Sequence, residues 1–253
     1  MKVLATLFAL AASYVLPSMA DGPGFILGTN WHMANTPADG LKDITFPMSM
    51  PNVTHENGYY FMQSFLFEGV WSHSAYTGLQ PRPKSGSDSV VHAVFSSFID
   101  GSTTDDANCH DGADYGPGVS CKVEINVPSY DHLYHLVIEN TEGTTWKGTL
   151  VDTVTNEETH IGSYTLPSYT KGIQSSFRGI VEYYPWNGGP KTLPCDKLPW
   201  TQAYFGPPTT NTPGAGPGSI DPFDQENPQC NGKVNFQQTK TSDGGYIPQC
   251  GFK

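Results

Sequence analysis

Basic residues are scarce in this chain: 13 Lys and Arg stand against 24 Asp and Glu in 253 residues, for a formal net charge of −11. Nucleic acids and anionic membrane surfaces are held by clustered cations, so neither is expected as a partner. Beyond the first twenty residues no apolar run is long enough to cross a bilayer. The final residues Gln249 to Lys253 lack the hydrophobic tail of a lipid-anchor signal. Also missing are a Gly-x-Ser-x-Gly elbow, a His-Glu-x-x-His helix and a phosphate-cradling loop, which removes the most recognisable hydrolase, zinc-peptidase and nucleotide-binding signatures. No internal repeat and no sustained helical period is found, and cysteine is both sparse and odd in number, at five. His32 lies well inside the expected mature terminus, which disfavours a copper site built on an N-terminal histidine.

The first twenty residues read as a secretory signal. Lys2 supplies the positive start, Val3 to Val15 an apolar stretch too short to span a membrane, and Ser18-Met19-Ala20 a small-x-small cleavage site, so that the mature chain begins near Asp21. Asn52-Val53-Thr54 is an N-glycosylation acceptor, and all five cysteines lie beyond the signal, where an oxidising compartment pairs them. The expected destination is extracellular.

From residue 58 onward the chain alternates short aromatic or β-branched runs with Gly, Asn, Asp and Pro turns. Strands are expected over Tyr59 to Phe67, Val90 to Ile99, Lys122 to Val127, His132 to Glu139, Thr144 to Val154, Glu158 to Tyr164 and Ile173 to Tyr184, with a further one near Ile44 to Phe46. The expected fold is an all-β antiparallel β-sandwich, jelly-roll or concanavalin-like, with disulfides. Residues 1–20 form the signal and 21–205 the sandwich with its N-terminal lead-in. Residues 206–229, rich in Pro, Gly and Thr, read as a linker or surface meander. Residues 230–253 read as an extension packed on the sandwich, with a strand over Lys233 to Phe236.

The blocks Gly-Tyr-Tyr-Phe-Met-Gln at 58–63, Tyr-Thr-Gly-Leu-Gln at 76–80 and Ala-Val-Phe-Ser-Ser-Phe at 93–98 resemble a secreted family known only as a domain of unknown function. The likeness continues through residues 112–118, 146–148, 159–164 and 181–184, and so covers residues 58–186. The resemblance implies an extracellular sandwich of concanavalin-like or galactose-binding plan and supplies no reaction or catalytic residues. The cysteines look like additions of a fungal-type branch of that family.

Cys109 and Cys121 flank a Gly-rich loop and are expected to pair, pinning it. Of the other three, Cys195 with Cys230 is the preferred bridge and Cys230 with Cys250 the competing one. Within the pinned loop Asp105, Asp106, Asp111 and Asp114 offer hard oxygen ligands suited to calcium, although their spacing is not that of an EF-hand and a solvated acidic loop needs no ion. No cofactor is required by any motif.

Sugars stack their apolar faces on aromatic rings and give their hydroxyls to amides and carboxylates. Tyr59 and Gln63 on one strand face, Trp71, His73, Tyr76 and Gln80 in an expected loop, and Tyr183, Tyr184 and Trp186 at a strand end are the candidate ligand-binding groups; Trp71, His73 and Tyr76 are expected to converge with Glu182, Tyr183, Tyr184 and Trp186 on one concave surface. Each also suits a sandwich core. For catalysis Glu182 is the most suggestive carboxylate, with His73 and Tyr76 as partners and Glu68 and Arg178 in reserve. The functional expectation is a secreted protein that binds cell-wall or extracellular polysaccharide. Its rivals are a glycoside hydrolase or polysaccharide lyase on the same substrates and a secreted effector. A cleft lined by Glu182 with a second carboxylate at catalytic separation favours the enzyme, and a shallow aromatic platform without perturbed acids favours the binder.

Overall fold

The computed structural model describes residues 24–114, 116–187 and 193–253; the expected signal lies outside them. Among the described residues the chain is built of β-strands in two antiparallel sheets. In chain order the strands are β1 (Phe25–Met33), β2 (Asp43–Ser49), β3 (Tyr59–Phe65), β4 (Ala75–Ser85), β5 (Asp88–Ser97), β6 (Cys109–Ala113), β7 (Gly116–Val127), β8 (Tyr134–Glu142), β9 (Thr145–Asp152), β10 (Glu157–Thr165) and β11 (Ser176–Tyr183). The shorter β12 (Thr201–Gln202), β13 (Tyr204–Phe205), β14 (Gly218–Ile220), β15 (Asp224–Gln225), β16 (Gln237–Lys240) and β17 (Tyr246–Cys250) follow. The large sheet runs β14-β1-β11-β3-β4-β5-β7-β6 with β15 also on β1, and the small sheet runs β10-β9-β8-β2-β13-β17-β12 with β16 on β17.

Between the sheets lies a core of aromatic side chains. Trp31 meets Phe46 edge-on with centroids 5.3 Å apart, Phe95 stacks on Tyr164 at 4.4 Å, and Phe67 lies 4.9 Å from Trp146. The period of two along a strand explains which residues do this: Trp146, Gly148 and Leu150 of β9 are all buried on the core side. Gly148 is glycine because the Phe95 ring occupies the space of a side chain, with ring atoms 2.6–2.8 Å from where a Cβ would stand.

Several expectations are corrected. Tyr76 and Gln80 lie in β4 rather than in a loop; the Gly and Pro that suggested a loop are accommodated within the pairing of β4 with β5, where Pro81 lies opposite Val91. Residues 233–236 form no strand; β16 (Gln237–Lys240) begins just after them and pairs with β17. Residues 206–229 are stitched to the body: β14 and β15 extend the large sheet, and Ile220 and Phe223 are buried in its core.

Both expected disulfides form. Cys109 and Cys121 are directly opposed on β6 and β7, with Cα atoms 4.0 Å apart, and Cys195 joins Cys230 at 5.4 Å, leaving Cys250 as a buried thiol. Burial pushes that thiol up to about 12. Gly162 of β10 lies against the first bridge; a Cβ there would stand 2.5 Å from Cys109 Sγ and 2.4 Å from Cys121 Cβ.

Non-reducing peptide mapping should therefore return Cys109 with Cys121 and Cys195 with Cys230, and Cys250 should resist alkylation until the protein unfolds. Replacing Cys109 and Cys121 together by Ala should cost about 3 kcal/mol in denaturant unfolding. Gly162→Ala should cost roughly 1–3 kcal/mol by overpacking. Recovery of Cys230 linked to Cys250 would contradict this arrangement.

Candidate functional site

The face of the large sheet turned away from the small sheet carries its own buried cluster: Phe25, Tyr60, Met62, Tyr76, Val94 and Ile180, with Phe98 and Tyr184 packed against it. Cross-strand register aligns these residues in rows. One row passes from Ile180 to Met62, Gly78, Val94 and Lys122, and a second from Tyr76 to Ser96, Ser120 and His110. A third joins Gln80, His92 and Glu124. Gly78 makes room for the Tyr60 ring, an atom of which lies 2.8 Å from a notional Cβ.

Glu182 belongs to this outward face because its neighbours Val181 and Tyr183 belong to the inner one, and it pairs with Phe25 on one side and Tyr60 on the other. Only 7% of it is exposed. Asn187 Nδ2 donates to its Oε1 at 2.6 Å. Burial is the main reason its carboxyl titrates at about 7; the negative charge of Asp114 adds to the rise, and the Asn187 hydrogen bond opposes it.

Asp114 reaches this face from the β6–β7 turn, where it adopts a left-handed backbone, φ 43°. Aspartate is among the residues that tolerate this conformation, which suits a tight hairpin turn. The Tyr76 hydroxyl donates to Asp114 Oδ2 at 3.0 Å. Burial, and then the Asp114 charge, keep the Tyr76 phenol protonated well above its ordinary range. The Tyr60 ring meets Tyr76 edge-on at 6.3 Å, and its buried hydroxyl makes no hydrogen bond with the described residues. Its phenol is also pushed up, chiefly by burial and then by the nearby Tyr76, Glu182 and Asp114.

Beside this group lies a polar platform. Arg82 donates to Gln80 Oε1 at 2.6 Å and to the Tyr184 hydroxyl at 3.4 Å, and pairs with Glu124 at 3.3 Å. Gly58 N donates to the same Tyr184 hydroxyl at 3.0 Å. His92, 3.5 Å from Glu124, is lowered by burial and by the Arg82 charge.

The expected ligand surface is thus split by the sheet. Glu182, Tyr76, Gln80 and Tyr184 share the outward face. Tyr59, Gln63, Tyr183 and Trp186 are packed in the core between the sheets: Tyr59 donates to Pro199 O at 2.6 Å, Tyr183 meets Tyr59 and Trp186 edge-on, and Gln63 is fully buried. Trp71 is 70% exposed in the β3–β4 connection, and His73 Nδ1 bonds Ser72 Oγ at 2.8 Å. Arg178 pairs with Glu226 at 2.9 Å. Sequence reasoning missed Tyr60, Asp114 as a partner of Tyr76, Arg82 and Asn187. The i, i+2 relation of Tyr60 to Met62 was the available signal.

The four aspartates do not meet. Asp106 accepts from Ser163 Oγ at 2.9 Å and from Asn108 N at 2.9 Å and bonds His160 Nε2 at 2.5 Å, while Asp114 turns to Tyr76 on the other face; Asp105 and Asp111 are exposed. Among the described residues no three His, Cys, Asp or Glu side chains are grouped to hold a metal ion. No described helix is long and apolar enough to cross a membrane.

No family model matches the chain, and no curated protein matches it. Among solved structures, a scytalido-glutamic peptidase with a peptide-based transition state analog is 10% identical with a TM-score of 0.45, over 90% of this chain and 98% of that one. SCP-B, a member of the eqolisin family of peptidases in complex with the tripeptide Ala-Ile-His, gives 10% and 0.43 over the same shares. The CBM2 module of an evolved Dit of Lactobacillus casei BL23 phage J-1 gives 13% and 0.27, over 60% of this chain and 67% of that one. Scores at this level do not establish a shared activity.

The raised Glu182 carboxyl gives a signed prediction. Between pH 4.5 and about 7 the folded protein holds a proton that the unfolded chain has released, so this residue makes stability fall as pH rises through that window. The penalty is nil below the window and complete above it, on the order of 3 kcal/mol. Glu182→Gln should match the parent at pH 4 and exceed it at pH 8 in urea unfolding. A difference that does not change with pH would contradict the assigned burial of the charge.

Proposed function

We propose that this protein is a secreted acid–base hydrolase of an extracellular polymer, working on the outward face of its large sheet with Glu182 as proton donor. The observation that carries the reading is the placement of Glu182. A carboxylic acid is buried in an aromatic cluster, held by an amide, with a second carboxylate near enough to influence it. A carboxyl so placed carries its proton at mildly acidic pH and can deliver it to a leaving group, a contribution typically of 10²–10⁴-fold.

The other side chains take complementary roles. Asp114, fixed through Tyr76, is the acceptor for a proton of the attacking water. Bond cleavage then follows a balanced course: water adds its oxygen to the scissile centre and yields a proton toward Asp114, while the leaving group takes the Glu182 proton. The Tyr60 hydroxyl, protonated and without a partner among the described residues, is a donor for oxygen charge that develops in the transition state. Gln80, Arg82 and Tyr184 form the neighbouring surface on which the polymer lies. The two disulfides fit an oxidising compartment, which supports the secreted part of the reading.

The reading is tested with reducing-end, unsaturated-uronate and peptide-release assays on polysaccharide and polypeptide panels between pH 3 and 8. Turnover should fall as pH rises through about 7, and Glu182→Gln should lower kcat at least 10²-fold with binding retained. Tyr60→Phe should lower kcat by about 10²–10³-fold with little change in KM. Turnover indifferent to Glu182→Gln, or glycan binding without turnover on any substrate, would return the protein to the binding class.

A further inference from the structure

A different region, remote in sequence from Glu182, has the chemistry of a sugar seat. After β2 the chain turns through Asn52, which has φ 62°. Val53 is buried in the core while Asn52 and Thr54 on either side of it are exposed. The middle residue of the Asn-x-Thr acceptor therefore anchors the turn, and the two residues that an oligosaccharyl transfer uses face solvent. Beside them opens a depression of about 750 Å³, lined by Asn52, Thr54, Trp200, Gln202, Gln249 and Lys253 among others.

The wall of this depression is built from paired backbone. Gln202 on β12 lies directly opposite Gln249 on β17, and Trp200 N donates to Phe252 O at 3.0 Å. The half-buried Trp200 indole carries the Lys253 ammonium 4.4 Å from its ring centroid. Gln249 Nε2 is steadied by Gln237 Oε1 at 2.9 Å. An indole beside two amides, with an ammonium over its ring that a sugar can displace or bond, is a combination suited to the apolar face of a pyranose and to its hydroxyl and acetamido groups. The glycosylation acceptor Asn52 and its Thr54 belong to the lining of the same depression.

We propose that Asn52 carries an N-linked glycan whose first residues lie in this depression against Trp200, bonded by Gln202, Gln249 and Lys253. The attached glycan then covers the β12–β17 edge and stabilises the folded state only, because the unfolded chain has no depression to hold it.

The test uses the full chain secreted from a eukaryotic host. Glycopeptide mass spectrometry should find Asn52 occupied, and Asn52→Gln and Thr54→Ala should each remove the modification. Enzymatic deglycosylation should lower the Tm of the parent by roughly 2–4 °C. In Trp200→Ala, still glycosylated, that decrement should vanish. Hydrogen exchange provides a measurement that needs no variant: amides of residues 200–203 and 249–253 should exchange more slowly with the glycan than without it. An unoccupied Asn52, a decrement equal in Trp200→Ala, or exchange indifferent to the glycan overturns the proposal. Binding of free oligosaccharide at Trp200 in protein that leaves Asn52 bare would likewise overturn it, by assigning the depression to an external ligand.

Discussion

The pleat of the large sheet is the constraint on which everything else depends. All seven residues of β3 are buried, so this central strand is covered on both faces. Along it and the adjoining β11, successive side chains must go alternately inward and outward. Val181 and Tyr183 fill the space between the sheets, and Ile180 and Glu182 enter the outward cluster. A one-residue slip would put Glu182 into the aromatic core and Tyr183 onto the outward face. The register with β1 and β3 thus fixes where a carboxyl is desolvated, and desolvation in turn sets its titration.

Delivering the second carboxylate falls to the disulfide hairpin. Cys109 and Cys121 clamp β6 to β7 at one pair, and Gly162 of the small sheet lets the bridge pack closely against β10. From that fixed point the hairpin runs to its turn, where Asp114 leaves the chain in a left-handed conformation and reaches Tyr76. The acidic loop suggested a calcium cage because four aspartates fall within ten residues. Strand pleating and the turn separate them instead: Asp106 is used by His160 and Ser163 to tie the loop to β10, and Asp114 serves the opposite side.

Composition and turn spacing make the sandwich legible, and the eight expected strands overlap β2, β3, β5 and β7 to β11, although β7 begins at Gly116, well before the expected Lys122, and β1 carries no legible period. The periods of β3 and β9 were legible as well, down to the grouping of Tyr59 with Gln63 and of Trp146 with Leu150. What the period cannot convey is which of two faces meets the other sheet, since both faces of β3 are apolar enough to be core. Tyr59 and Gln63 therefore suit a ligand surface by sequence and lie inside in the structure, while Tyr60, between them in the alternation, lies in the outward cluster. Glu182 was legible as a carboxylate set in an aromatic strand. Its surroundings are less so: Asn187 lies five residues on, past the end of the strand, where no period applies, and Asp114 comes from a turn whose proximity is created only by long-range pairing. β4 is harder to read because of its own prolines and glycine: Gly78 is paired on both sides, while Pro81 lies beyond the β3 pairing and has a partner on β5 alone.

Two polar side chains stand where apolar ones would pack with less penalty, and they flank the same pair of strands. Gln63 lies opposite Gly179 on the inner side, with its amide fully buried and neither polar atom bonded to a described residue. Gly179 accommodates it, since a Cβ there would stand 2.6 Å from Gln63 Oε1. Glu182 lies opposite Tyr60 on the outer side, three residues along. A desolvated amide without partners costs about 1–3 kcal/mol, and a buried carboxyl that must hold its proton adds a cost of similar size above neutral pH. Local departures from good packing of this kind gather where a fold is adapted to chemistry rather than to stability. The two lie on adjacent strands but on opposite faces of the sheet, and Glu182 is the one that shares its face with Tyr60 and Tyr76.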